Sequence, residues 1–131
     1  IKVSDVNGNL TEKVWELVVN DEFGLKVYGN YPNPFKDFTI FSYFISSFVP
    51  DEFEIRIYTI SGKLIKRIEN DLNTINDSRG FGAKNVGYNE LQWDGTDQNG
   101  VRVANGVYFA LIYAKYQDKV KQEILKVAKL E

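Results

Sequence analysis

An antiparallel all-β sandwich of seven to eight short strands is the fold this sequence predicts, on three observations. Aromatic residues make up 15% of the chain and there are twelve asparagines, a pairing of strand formers with turn formers. Apolar residues alternate with polar ones in short runs, the period of a half-buried strand. Turn signals built on Asn, Asp and Gly separate those runs at about the 8–12-residue spacing of sandwiches. At 131 residues and 44% hydrophobic content, the chain is long enough for one domain with its own core, alone or with a fragment of a neighbour.

Residues 1–6 (IKVSDV) alternate, Asn7-Gly8-Asn9 supplies a hairpin turn, and 11–20 (TEKVWELVVN) form the return strand. The chain opens on Ile1 rather than Met and already reads as strand there, which predicts a piece excised from a longer polypeptide with any export signal upstream. Residues 21–35 read as a junction, because Pro32 and Pro34 cannot join a central ladder. The reading therefore divides the chain into 1–28, a terminal hairpin of an upstream module plus linker, and 29–131, the main domain. Within the latter, 38–45 (FTIFSYFI) form a strand with Phe41, Tyr43 and Ile45 on one face and Ile40 and Phe44 on the other. Residues 53–60 (FEIRIYTI) turn Phe53, Ile55 and Ile57 inward, Ser61-Gly62 turns the chain, and 64–68 return. Residues 69–87 show no period and read as an insertion. Residues 88–93 bring Leu91 and Trp93 inward, and Val101–Val103 read as a short strand. The last two strands are 107–116 and 119–130. The final segment also suits a helix, since Val120, Ile124 and Val127 have helical spacing. A hairpin with 107–116 favours strand.

The side-chain inventory excludes whole classes of chemistry. There is no cysteine and no histidine, so thiolate and imidazole nucleophile systems and Cys- or His-ligated metals are ruled out. The net charge of −2 gives no broad attraction to nucleic acid or anionic membrane. No apolar run reaches the roughly 18–20 residues of a membrane span. Glu52 and Glu54 share a strand face that alternation makes the solvent face. Asp94, Asp97 and Asn99, ahead of Gly100, resemble a small calcium loop, but the spacing is not that of an EF-hand and no glutamate closes it. Asx-turn chemistry is the expected reading, and no cofactor or catalytic residue is expected. Trp93 is expected in the core, and Ile40 with Phe44 form an apolar patch if nothing covers them. Lys115, Lys119, Lys121, Lys126 and Lys129 bias the tail towards positive charge, as edge-strand lysines do.

Four segments together carry a resemblance. NYPNPF at 30–35, IRIYTISGKLIKRI at 55–68, WDGTDQNGVRVANGVYFALI at 93–112 and the terminal KQEILKVAKLE are similar to the C-terminal sorting domain of type IX (Por) secretion system proteins. The immunoglobulin-like module of the flagellar hook-capping protein shares the WDG…NG…GVY pattern. The hairpin before NYPNPF resembles the end of that system's gingipain-type cysteine peptidase of family C25. The resemblance implies an immunoglobulin-like sandwich, read by the outer-membrane translocon as an address for export through the periplasm to the cell surface. It assigns partner recognition to Gly106, Val107 and Tyr108 and to Ile124, Leu125, Lys126 and Val127. It assigns the domain junction to Pro32, Asn33, Pro34 and Phe35. Two other readings stand beside it: a structural immunoglobulin-like module of a hook-capping or adhesin-like protein, and a carbohydrate- or calcium-binding accessory of a secreted hydrolase.

Overall fold

A computed structural model describes residues 22–69 and 84–131. The expected hairpin over 1–20, with Trp15, and most of the 69–87 insertion lie outside the described residues. Seven strands are described: β1 Gly24–Tyr31, β2 Thr39–Ser46, β3 Glu52–Thr59, β4 Leu64–Glu69, β5 Gly87–Trp93, β6 Gly106–Tyr116 and β7 Lys119–Lys129. They form two antiparallel sheets, one of three strands in the order β1-β2-β5 and one of four in the order β4-β3-β6-β7. No helix is present among the described residues. The fold is an immunoglobulin-like sandwich.

The alternation legible in the sequence becomes the two inner faces. Phe41, Tyr43, Ile45, Leu91 and Trp93 from the three-stranded sheet meet Phe53, Ile55, Ile57, Tyr108, Ile112 and Val127 from the other. Each such fully buried side chain contributes about 1.5–3 kcal/mol relative to exposure. Ala110 and Ala114 leave room for the large rings opposite. Tyr43 stacks on Phe53 with centroids 4.8 Å apart, and burial pushes its phenol pKa well above the ordinary value. β1 runs past position 28 with a bulge there, and Phe23 belongs to the core with half-buried Leu25 and Val27 packed against it.

The last segment is a strand along its whole length, paired with β6 from Tyr116↔Lys119 to Gly106↔Lys129. Leu125, Val127 and Lys129 face inward at period two, and pairing with β6 overrides the helix propensity of Lys, Glu and Leu. Two expectations are corrected. Val101–Val103 is no strand; it makes a single bridge, Thr96↔Arg102. Its amides turn into the preceding loop, Val101 N–H to an Asp97 carboxylate oxygen and Val103 N–H to the Gly95 carbonyl. Glu54 is not a freely solvated partner of Glu52. It is half-buried and ion-paired with Arg56 and Arg67, because β4 brings Arg67 alongside.

Candidate functional site

The terminal strand β7 is the edge of the four-stranded sheet, and the chain itself covers half of that edge. After β1 leaves the three-stranded sheet, residues 32–35 cross the end of the sandwich and lie along β7. Phe35 makes a parallel bridge to Lys129. Its N–H donates to the Ala128 carbonyl and its carbonyl accepts from Leu130 N–H, both at 2.9 Å. Asn33 reads the same edge with its side chain, accepting from Ala128 N–H at 2.9 Å and donating to the Lys126 carbonyl at 3.2 Å. Thr39, fully buried, fixes the crossing by donating to the Pro32 carbonyl at 2.8 Å and accepting from Asn30. Pro32 and Pro34 suit this path because neither supplies an N–H that a ladder would leave unpaired.

Phe35 anchors the strap. It is 1% exposed and lies 5.3 Å from Trp93, whose indole N–H donates to the Thr96 carbonyl. Trp93 in turn meets Tyr108 edge-on at 5.9 Å. Gly95, at φ +76°, sits against the Phe35 ring, and a Cβ there would lie 3.1 Å from it. The WDG motif is therefore packing chemistry: the glycine permits both the turn and the close approach of Phe35. Tyr108 is buried with its hydroxyl donating to the Ala104 carbonyl at 2.5 Å, the geometry of a tyrosine corner. Burial raises its pKa.

Residues 129–131 are tied down by side chains that carry no motif in the sequence. Arg102 donates to the carbonyls of Lys36 and Asp94 and pairs with the Glu131 carboxylate at 3.2 Å. Lys129 is only 3% exposed, with its ammonium 2.8 Å from Glu131. The hydrogen bonds from Lys129 and then Arg102 hold the Glu131 carboxyl below its usual pKa. Composition groups Lys129 with the exposed lysines of the tail, but it lies in phase with Leu125 and Val127. That parity is the signal that places its stem inward and its head at the rim.

The Asp94–Gly100 loop holds its carboxylates to its own amides. Asp94 accepts from the Thr96 amide and hydroxyl, and Asp97 accepts from Asn99 and Val101 N–H. Partial burial opposes ionisation of Asp94, but the Thr96 hydrogen bonds and the Lys66 charge outweigh it and the pKa is lowered. The loop also covers the opposite edge of the sheet: Gln98 N–H donates to the Ile65 carbonyl, and its side-chain oxygen accepts from Arg67 N–H.

The residues assigned to partner recognition divide by face. Tyr108, Leu125 and Val127 point inward, and Gly106 opens β6 at φ +152°. Val107, Lys126 and Ile124 lie on the outer face, where Val107 is half-buried and Ile124 is 66% exposed. Ile124 borders a shallow apolar groove of about 420 Å³ with Tyr58, Phe109 and Leu111. Ile40 is half-buried and Phe44 exposed on the outer face of the other sheet, beside Tyr88.

Residues 30–81 match the family model of the secretion system C-terminal sorting domain. No curated protein sequence matches the chain. Among solved structures, the chain is similar to dimeric latent PorU from Porphyromonas gingivalis, at 21% identity and a TM-score of 0.62, covering 83% of this chain and 9% of that one. PorZ, described as an essential surface component of the type IX secretion system of the same organism, matches at 18% identity and a TM-score of 0.46, over 98% of this chain and 12% of that one. Truncated FlgD from Helicobacter pylori matches at 20% identity and a TM-score of 0.49, over 80% of this chain and 70% of that one. The chain thus spans about a tenth of the two Porphyromonas proteins.

Proposed function

From a chain whose residues 30–81 match the secretion system C-terminal sorting domain, we propose a non-catalytic address module that directs its parent protein through the type IX system to the cell surface. The observation that carries the reading is the construction of β7. The terminal strand is folded and strapped at one end by Asn33 and Phe35, while Ile124 and Lys126 stand exposed on the outer face. A rigid edge strand of this kind offers main-chain pairing for affinity and side chains for specificity. The partner is the outer-membrane translocon and its sorting machinery. Ile124 and Lys126 make the contact from β7, with Val107 beside them. Gly106, Tyr108, Leu125 and Val127 hold the strand pair in shape. Pro32, Asn33, Pro34 and Phe35 serve as the strap, and the junction with a preceding module is placed ahead of β1, because a division at 28/29 would cut that strand and take Phe23 from the core.

The parent is proposed to be a gingipain-type cysteine peptidase of family C25, on the likeness of the first 28 residues. A cysteine-peptidase domain encoded before Ile1 is the expected finding. A different upstream domain overturns that assignment and leaves the address reading intact.

The address reading is tested by fusing a reporter ahead of the chain in a bacterium with a type IX system. The reporter is expected at the cell surface. Ile124→Glu with Lys126→Glu is expected to hold it in the periplasm while the purified variant melts within about 2 °C of the parent, as exposed substitutions do. Surface delivery of the double variant at wild-type level would sink the reading.

A further inference from the structure

The open half of the β7 edge is self-complementary, and we propose that it pairs with the same edge of a second copy, in antiparallel register about Gln122. This inference does not rest on the export reading; a chain that no machinery recognises would pair equally well.

The strap contacts fix which residues face the edge. Ala128 N–H and C=O and the Lys126 carbonyl point away from β6, towards Asn33 and Phe35. Main-chain direction alternates along a strand, so Val120, Gln122 and Ile124 also turn their N–H and C=O groups outward. Among the described residues, no main-chain partner covers these three on that side. The open window is bounded by Asn33 at Lys126 and by the turn after Tyr116 at the other end.

A two-fold axis at Gln122 sets Gln122 against Gln122 of the second copy and Val120 against Ile124, on both sides of the axis. All of these are outward-facing residues, so each facing pair closes two main-chain hydrogen bonds. The side chains then fall into place. Val120 and Ile124, 47% and 66% exposed, cover one another on the outer face. Lys121 and Glu123, both exposed, meet as opposite charges, twice, on the other face. Neighbouring registers fail. An axis at Lys121 opposes lysine to lysine at its centre and sets Val120 against Gln122, so its two Lys119–Glu123 pairs come without the apolar cover of Ile124, and one at Glu123 opposes glutamate to glutamate and drives Val120 onto the strapped Lys126. Like charges directly opposite are destabilising. The charge order of β7 therefore selects one partner, a second copy, and one register, joining two four-stranded sheets into one of eight. Only a short window pairs, so the dimer is weak, well below the ~1,000 Å² of a stable interface.

Sedimentation equilibrium of the whole chain from about 10 µM to about 1 mM is expected to show a monomer–dimer equilibrium. Lys121→Glu alone and Glu123→Lys alone are each expected to weaken association by about tenfold, because each homodimer then carries two like-charge pairs. Mixing the two variants restores association, because the two acidic side chains of the first variant then face the two lysines of the second. The chain has no native cysteine, so Gln122→Cys is expected to cross-link to itself on oxidation much faster than Asn99→Cys on the distant loop. A chain that stays monomeric throughout, a mixture no tighter than its components, or equal cross-linking at the two cysteines would each overturn the proposal.

Discussion

At the scale of single residues, the sharpest constraint sits at Gly95. Its φ of +76° and the Phe35 ring 3.1 Å from a would-be Cβ make it the point where the loop, the strap and the Trp93 cluster meet. Gly95→Ala is expected to cost about 1–2 kcal/mol for the left-handed backbone alone, before any displacement of Phe35. A thermal melt should show a drop of several degrees; an unchanged midpoint would mean that the ring approach is not retained. The carboxylates of the same loop were legible only as a cluster of oxygen-bearing residues. The sequence places Asp94, Asp97 and Asn99 near one another but not their direction, and folding turns both aspartates onto amides two to four residues ahead. Lys129 teaches the converse. Its burial follows from parity with Val127, and the carboxylate that receives its charge, on Glu131, lies only two residues ahead.

At the scale of elements, both edges of the four-stranded sheet are blunted by loops imitating a strand, Gln98 against β4 and Asn33–Phe35 against β7. Unpaired edges template association, and short covers of this kind limit it. Asn33 does so with a side-chain amide, which presents the same donor and acceptor as a peptide group. Asn33→Ala is expected to speed hydrogen exchange at the Ala128 amide by about five- to tenfold, the worth of one lost hydrogen bond. Exchange at the core amide of Ile112 should not change, and equal rates at Ala128 in the two proteins would remove the strap's role as a cover. The strand β7 was decidable from the sequence only by appeal to its neighbour. Its composition suits a helix, and the hairpin with β6 gives Leu125 and Val127 a buried face at period two.

At the scale of the whole molecule, the sandwich closes around side chains that begin at Phe23. A chain begun at Glu22 keeps Phe23, Leu25 and Val27; one begun at Gly29 loses all three and most of β1. Loss of the buried Phe23 ring alone costs about 3–5 kcal/mol, and the half-buried Leu25 and Val27 add less. The shorter chain is therefore expected to unfold at a much lower denaturant concentration, with a smaller slope. Matching transitions would show that β1 adds nothing to the closed core. By itself the sequence determined the fold class, the inward set on β2, β3 and β5, and which side chains are present for any chemistry. These follow from local alternation and from which side chains are present, and neither needs a partner in space. Only the tertiary structure decided that the proline segment straps the terminal strand, that Arg67 reaches Glu54 and Arg102 reaches Glu131, and which stretch of β7 remains open. Each of those depends on contacts between residues far apart in the chain, whose register is set when the two sheets pack and not by any spacing along the sequence.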